Sequence, residues 1–585
     1  MRCQMITKNQ LFPLFLLFTL TVTVEAKDTL RTGAELAAIL ASIHEHVDQR
    51  KLDTKLFTQA LNSQPINIQE TALRGLGRIG GDTIAPLVLP FLNDENEVLR
   101  RAAVFALGIS GQSNVIQKLW PVLKKENDET VKQEIYLALG LLGGNNLIST
   151  LLDRVKIEKT PATKAAIFQA LAIAITYHQD ISAQLVTDLE QSTDKKEVVD
   201  FTHLLKLMEQ DNSLSYFVGY FLARVKTIEQ YINPLQLEKL TRNVKSLGNK
   251  KVLARLIGKA TQKDHPSNRQ LLSWLIEQSN LSKVDLVVEA IQAMGSLLKI
   301  PQARLQLGKL HGSTNPLIAQ SALQVLANSS LNSMQMTQLL KKNLKNVRPS
   351  MVVAAMKGLV KRQDRDDMSW ALKILAHKSS FVKIRFALLI AEKDKKGFHN
   401  VLKLLSKDTD PKVAKVATSL LSDKSAGEPS IKTQTTFYPK ALKANGRHVL
   451  LRTSAGNIEL LMNQDATYTS AHFIKLVNSG YYNTTYFSRM LGNFVAQGGD
   501  SVGDMDGGSG QMIREEISYL SHKIGTVGMA TSGKDTGDAQ FFINLGDNFH
   551  LDRKYTIFAS VVRGMENVYK LSNGDQIISA EVIME

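Results

Sequence analysis

Residues 540–558, QFFINLGDNFHLDRKYTIF, break with the rest of a chain written largely in Leu, Ala and Lys at helical spacing. The stretch is apolar at its start, turn-rich in its middle and apolar again at its end, the pattern of two short strands around an exposed loop. Residues 525–539 ahead of it, GTVGMATSGKDTGDA, crowd together small residues and turn formers. Such density marks loops and close backbone approaches rather than helix. Working outward, the alternating period extends back to about residue 446. HVLLRTSAGNIELLMN (448–463) reads as a hairpin with SAGN as its turn. TSAHFIKLVNSG (469–480) reads as an amphipathic helix with Phe473, Leu476 and Val477 inward and Gly480 closing it. Short strands follow around YFSRML, NFVAQGG, GTVGMA, QFFINL and TIFASVV, then a second helix, MENVYKLS, and a last strand, IISAEVIM. Many short strands with two helices predict a closed antiparallel β-barrel capped at its ends over 446–585.

Upstream, three segments align: IQETALRGLGRIGG from Ile68, VLRRAAVFALGISG from Val98 and VKQEIYLALGLLGG from Val131. Gly77, Gly108 and Gly140 recur at spacings of 31 and 32. In the second copy Val98, Ala102, Phe105, Ala106 and Ile109 share one helical face, and Gly111 is placed to stop the helix. Leu-rich second helices such as TIAPLVLPFL lie between the copies. One helix pair per thirty-odd residues is the mark of a solenoid. Later copies begin at Val284, Leu317, Met351 and Asp410. Between about 150 and 280 the repeat is too weak to bound. These segments resemble HEAT and HEAT-like repeats, which implies an all-α solenoid over 27–422 with a broad binding surface. From 423 to 445, DKSAGEPSIKTQTTFYPKALKAN loses periodicity and reads as a linker. The expected fold class is therefore multidomain.

Length supports this division, because 585 residues exceed what one core holds. So does charge. The whole chain carries +16, yet residues 446–585 hold 11 Lys and Arg against 15 Asp and Glu. The repeat region is thus strongly basic and the C-terminal part acidic. A basic array points to an acidic protein or surface as a candidate partner.

The N-terminus, 1–26, has Arg2 and Lys8, then the apolar run LFPLFLLFTLTVTV, then small residues up to Ala26. Those are the parts of a secretory signal. Its apolar run is about 14 residues, short of the roughly 20 that span a bilayer. The expectation is export with cleavage after Ala26, to the periplasm in a Gram-negative host and otherwise to the exterior. No integral membrane span is expected in the cleaved chain, and no nucleic-acid role despite the basic pI. Cys3, the only cysteine, lies inside that segment. No disulfide and no Cys-based metal site is therefore expected. In GDMDGGSGQMIREE (503–516), Asp504, Asp506 and Glu515 stand at calcium-loop positions 1, 3 and 12. Gly508 and Ser509 at positions 5 and 6 lack the ligand and the glycine that such a loop requires, so no metal is predicted.

SAGNIELLM, YFSRMLGNFVAQGGD and the run from Gly525 to Met565 together resemble the cyclophilin family of peptidyl-prolyl isomerases. The resemblance implies rotation of X–Pro bonds without a cofactor or covalent intermediate. Such a bond turns against about 18–20 kcal/mol of amide resonance. A catalyst holds the proline ring, lets the preceding carbonyl swing and favours a nitrogen that has lost conjugation. By the resemblance Arg489 is the catalytic cation. Phe494, Val495, Phe542 and Leu551 line the proline pocket, Gln497 and Gln540 hold the substrate backbone or orient Arg489, Ala530 and Thr531 form the groove rim, and His550 and Tyr555 close the far side. The chain departs from the family's common residues at Ser488 (His), Val495 (Met), Thr531 (Asn), His550 (Trp) and Tyr555 (His). Tolerance of cyclosporin is expected from His550, which offers less apolar surface than an indole, with His550→Trp restoring sensitivity. The implied function is an exported isomerase that assists folding of proline-containing polypeptide clients, with the repeat arm holding partners. The competing readings are a proline-peptide scaffold that turns its ligands over poorly, and a basic array with the barrel as passenger.

Overall fold

The computed structural model describes residues 33–191, 198–329, 334–362, 369–422 and 438–583. Residues 1–26, read from sequence as a secretory signal, and residues 423–437 of the expected linker lie outside these.

Helices run from Gly33–Asp48 to Pro411–Leu421. One continuous row of them stacks side by side: Ile66–Ile79, Glu97–Ser110, Glu129–Leu142, Pro161–Tyr177, Ser213–Leu222, Leu247–Ala260, Val284–Met294, Pro316–Asn328, Pro349–Lys361, Ser380–Asp394 and Pro411–Leu421, each packed on the next. A second layer, including Ile116–Lys125, Leu147–Ile157 and Asn268–Ser279, backs this row. The described residues between 150 and 280, where the repeat fades in sequence, continue the same stack. Many row helices begin on a side chain that accepts a hydrogen bond from the first turn, as Asn96, Asp128, Thr160, Ser246 and Asp410 do.

The recurring glycines have a packing cause. A Cβ on Gly77 would lie 2.5 Å from Ala106 Cα, one on Gly108 2.9 Å from Ala138 Cβ, and one on Gly140 2.6 Å from the Ala170 carbonyl oxygen. Neighbouring row helices thus touch backbone to backbone at a Gly–Ala contact repeated down the stack. Gly111 ends its helix in the left-handed region at φ 78°. Gly140→Ala is expected to force two helices apart and cost about 1–3 kcal/mol. A denaturant midpoint that does not move would show that the stack has slack at this point.

Val98, expected on the buried face, is 37% exposed in the first turn, while Leu99, Ala103 and Leu107 are buried with Ala102, Phe105 and Ala106. The helix is covered on two sides, by its own layer and by the barrel.

The barrel has nine strands: β1 His448–Thr453, β2 Gly456–Met462, β3 Thr485–Phe487, β4 Arg489–Met490, β5 Val495–Gly498, β6 Thr526–Met529, β7 Phe541–Asn544, β8 Ile557–Arg563 and β9 Asp575–Ile583. Their order is β3-β9-β1-β2-β8-β6-β7-β5-β4, antiparallel throughout. β3 and β4 stand at opposite ends of the sheet yet are consecutive in the chain. The bridge between Tyr486 and Asp500 helps draw them together, so the barrel is nearly closed. Helix Thr467–Asn478 caps one end and sends Phe473 inward to Tyr482, Phe541 and Phe558 at centroid distances of 4.8, 5.5 and 5.0 Å. The second capping helix is a single turn, Met565–Val568.

The two parts pack against one another along most of the row. Arg50 pairs with Asp535, and Arg74 with Asp465 at 3.4 Å. Arg553 of the barrel pairs with Glu134 at 3.0 Å. Gln169 donates to Asp552, Arg255 to the Asn493 carbonyl, Gln320 to the Met490 carbonyl and Lys412 to the Ser501 carbonyl. Apolar packing also crosses the seam. Phe549 belongs to the solenoid's core, while Val288 and Leu317 belong to the barrel's. The end of the expected linker forms a short helix, Tyr438–Ala441, and Tyr438 stacks on His44 of the first helix at 4.0 Å. The basic row thus receives the chain's own acidic barrel.

Candidate active site

The pocket is built on the antiparallel neighbours β4, β5 and β7. Register places Arg489 opposite Gln497, and Gln497 opposite Phe542. A small apolar cluster stands apart from both main cores. Val495, Phe542 and Leu551 are buried, and Phe494, Ala530 and Tyr555 pack on them half-exposed. These are the apolar side chains that the sequence grouped, now on one side of the barrel.

Arg489 lies at the cluster's edge, its guanidinium carbon 5.6 Å from the centre of the Phe494 ring. It is half-buried, and among the described residues its guanidinium has neither a carboxylate partner nor a hydrogen-bond acceptor. Gln497 donates to Gln540 Oε1 at 2.9 Å. Gln540 spends both of its N–H bonds on the carbonyls of Met505 and Gly507, at 2.8 and 2.9 Å. Of the two amides only Gln497 keeps a free N–H and a free carbonyl oxygen, so Gln540 acts on a ligand through Gln497.

Three residues that sequence reasoning passed over hold this arrangement. A Cβ on Gly528 would overlap the Phe542 ring, so only glycine lets that ring lie flat on β6. His522 is fully buried and stacks on Phe542 at 5.6 Å. Burial pushes its imidazole down to about 3, so it is neutral. Its Nδ1 faces the Asn544 amide at 3.2 Å, and its Nε2 faces the Tyr555 carbonyl at 3.3 Å. Nδ1 therefore accepts and Nε2–H donates. Asn548, 2% exposed, ties the Phe494 carbonyl to Asn544 at 2.9 and 2.8 Å. Buried polar loop residues of this kind carry no periodic signal, which is why the sequence did not expose them.

His550 does more than close a wall. Its ring stacks on Phe494 at 5.6 Å, while its Nδ1 lies 2.7 Å from the Tyr220 hydroxyl and 2.9 Å from Arg224 Nη2. Its backbone N–H donates to the same hydroxyl at 3.1 Å. Burial and the Arg224 charge hold the imidazole down at about 2, so Nδ1 offers its lone pair and the proton sits on Nε2. Two solenoid side chains thus fix one wall of the barrel's pocket. Thr531 is not in the apolar cluster. It lines a separate cavity of about 560 Å³ at the seam, and Tyr555 is common to both. Among the described residues no group of three or more His, Cys, Asp and Glu is placed to hold a metal.

The family model for cyclophilin type peptidyl-prolyl cis-trans isomerases matches residues 448–584, and a HEAT repeat model matches 54–140. Peptidyl-prolyl cis-trans isomerase A of Dickeya dadantii is 42% identical over 147 residues, covering 24% of this chain and 77% of that protein. A peptidyl-prolyl cis-trans isomerase of Helicobacter pylori is 37% identical over 141 residues, covering 23% and 86%. A solved cyclophilin type isomerase from Cryptosporidium parvum aligns at 26% identity over 24% of this chain and 98% of that one, with a TM-score of 0.23. With its pocket on the strands the family model spans and a helical repeat region ahead of it, the chain belongs to the cyclophilin-type peptidyl-prolyl cis-trans isomerases.

Proposed function

We propose that this isomerase is exported and turns X–Pro bonds of unfolded or extended polypeptide clients, with Arg489 as the group that favours the twisted amide. The observation that carries this is the unpaired guanidinium of Arg489 beside an apolar cluster of proline size. The proline ring rests on Phe494, Phe542 and Leu551, where burial holds it still. Val495, shorter than the family's usual methionine, fills less of the floor of the pocket. As the C–N bond turns, the nitrogen loses conjugation and becomes a better acceptor. A donor from Arg489 then gains strength in the transition state alone, the condition for acceleration. Gln497, facing Arg489 across the ladder, binds the adjacent backbone through its free amide groups. The reaction needs no cofactor.

Export is supported by the sequence of residues 1–26, and mass analysis of protein recovered from its host should give a chain beginning at Lys27. In the decisive assay the purified chain is added to a proline-limited refolding reaction and to a short proline peptide. Acceleration of both is expected. Tight peptide binding with no acceleration would establish the scaffold reading instead.

The backing of His550 by the solenoid also changes what is expected of His550→Trp. An indole is larger than the imidazole and offers no lone pair to the Tyr220 hydroxyl or the Arg224 guanidinium, both of which now meet His550 Nδ1. The substitution should lower stability and leave the full chain tolerant of cyclosporin. Gain of nanomolar sensitivity would show that Tyr220 and Arg224 swing clear of the wall.

A further inference from the structure

The cavity of about 560 Å³ at the seam falls within the range of ligand sites. It is walled from both parts of the chain. The solenoid contributes Arg78 and Tyr177, the barrel Thr531, Lys534, Lys554 and Tyr555. Tyr555 is the shared partition. One side of its ring meets Phe542 edge-on at 5.8 Å in the proline cluster, and the residue also lines the cavity.

Five cations line this space: Arg50, Arg78, Lys534, Arg553 and Lys554. Arg50 is paired with Asp535 and Arg553 with Glu134. The other three have no carboxylate at ion-pair distance among the described residues. Arg78 is only 8% exposed, and its hydrogen bonds go to two backbone carbonyls, those of Ile517 at 2.9 Å and Asp465 at 3.4 Å. Three of its five N–H groups are left over. Lys554 sits over the Tyr177 ring at 4.9 Å, with no acceptor for its charge among the described residues. The lining anion is Glu515, whose carboxyl is pushed up to about 7 by burial and by Asp535, so near neutrality it carries only part of its charge and competes less than an ordinary carboxylate. Glu516 and Asp465 act on the Arg78 charge only from beyond ion-pair distance and do not outweigh its burial, a cost that an anionic ligand in contact would relieve.

We propose that the seam cavity is a subsite for an acidic side chain of the polypeptide, lying within a few residues of the proline being turned. The inference rests on the isomerase reading above. An extended chain advances about 3.3–3.6 Å per residue, so a segment whose proline lies on the Phe542 side of Tyr555 brings a residue about one to three positions away into the cavity. The solenoid is then part of the substrate site, and it sets which prolines are preferred.

The test uses the full chain and a set of labelled alanine-based peptides with one proline. Glu or Gln is placed at each of three positions on either side. Binding is read by fluorescence anisotropy and turnover by a coupled assay. At one position the Glu peptide should bind about five- to tenfold more tightly than the Gln peptide, the difference between a charge-assisted hydrogen bond and the neutral one that Gln still accepts. The ratio should shrink with added salt. Lys554→Glu should invert it in favour of the Gln peptide, and Arg78→Gln should reduce it toward one. Because each variant is judged by its own Glu-to-Gln ratio, general loss of stability does not imitate the effect. Equal binding of Glu and Gln at every position, or a ratio that neither variant changes, overturns the proposal. A charge preference in binding without turnover would keep the subsite and reject the isomerase reading. Turnover without any preference would do the reverse.

Discussion

Arg489→Ala should reduce X–Pro isomerisation by at least tenfold and toward a hundredfold, with the melting profile of the chain unchanged. The size follows from one hydrogen bond donated by a charged group, worth about 1.5–3 kcal/mol, and realised only when the nitrogen pyramidalises. The fold should tolerate the loss because Arg489 is half-buried and its guanidinium bonds to no other described residue. It contributes packing against the Phe494 face and little else. Peptide affinity should change by much less than the rate, since in the proposed site the ground-state proline leans on Phe542 and Leu551. Retained activity with an intact fold would mean that the barrier is lowered by the apolar walls alone, and the cationic mechanism would have to be abandoned. Arg489→Lys separates charge from geometry: a point charge on a flexible stem should recover only part of the rate.

The largest stability effect is expected from Glu134→Ala. Glu134 and Arg553 face each other at 3.0 Å with both side chains 3% exposed, one from the solenoid and one from the barrel. Arg553 also donates to the Ser518 carbonyl at 2.8 Å and lies near the rings of Phe105 and Tyr519, at 5.2 and 5.4 Å. Removing the carboxylate leaves a buried guanidinium uncompensated, a change that costs about 3–5 kcal/mol. The double replacement Glu134→Leu with Arg553→Met should recover most of that loss, because it removes both charges and keeps apolar volume. Denaturant unfolding of the three chains, followed by Trp and far-UV signals, reads the loss and its recovery. A loss below about 1 kcal/mol for Glu134→Ala would mean that the seam is open and hydrated in solution.

Much of this architecture could be read from residues before any coordinate. The period change near residue 446 located the barrel, and the strands read there lie within a residue or two of their places, except that the single strand read at YFSRML is two, β3 and β4, parted at Ser488 and set at opposite ends of the sheet. Gly77, Gly108 and Gly140 located the repeat, although their role as helix–helix contact points needed the Ala106, Ala138 and Ala170 backbones to be seen. The pocket cluster was legible because Phe494, Val495, Phe542 and Leu551 occur at a spacing shared with other chains. What sequence did not show was that Tyr220, Arg224 and Arg78 approach the site. They lie more than 250 residues from it along the chain, on helices whose pattern reports only that a face is buried. Burial against the second layer and burial against the barrel leave the same apolar stripe. The opposite charges of the two regions, taken as a sign of separateness, are what brings Arg50 to Asp535 and Arg74 to Asp465.

The stack of Tyr438 on His44 has a bearing on how the chain comes to exist. It joins the first described helix to the threshold of the barrel, and Arg50 reaches Asp535 across 485 positions of sequence. Synthesis runs from the N-terminus, so the row of helices leaves the ribosome long before the strands it will enclose. Until the last residues emerge, Val288, Leu317 and Phe381 have no barrel to cover them. Contacts of such long separation form slowly, and apolar surface waiting for them invites association between nascent chains. A chain halted near residue 440 would keep its helices and lose solubility. Quality control of this protein therefore falls on the arrival of its C-terminal quarter, and holding the early product apart from its neighbours is the task its biogenesis sets.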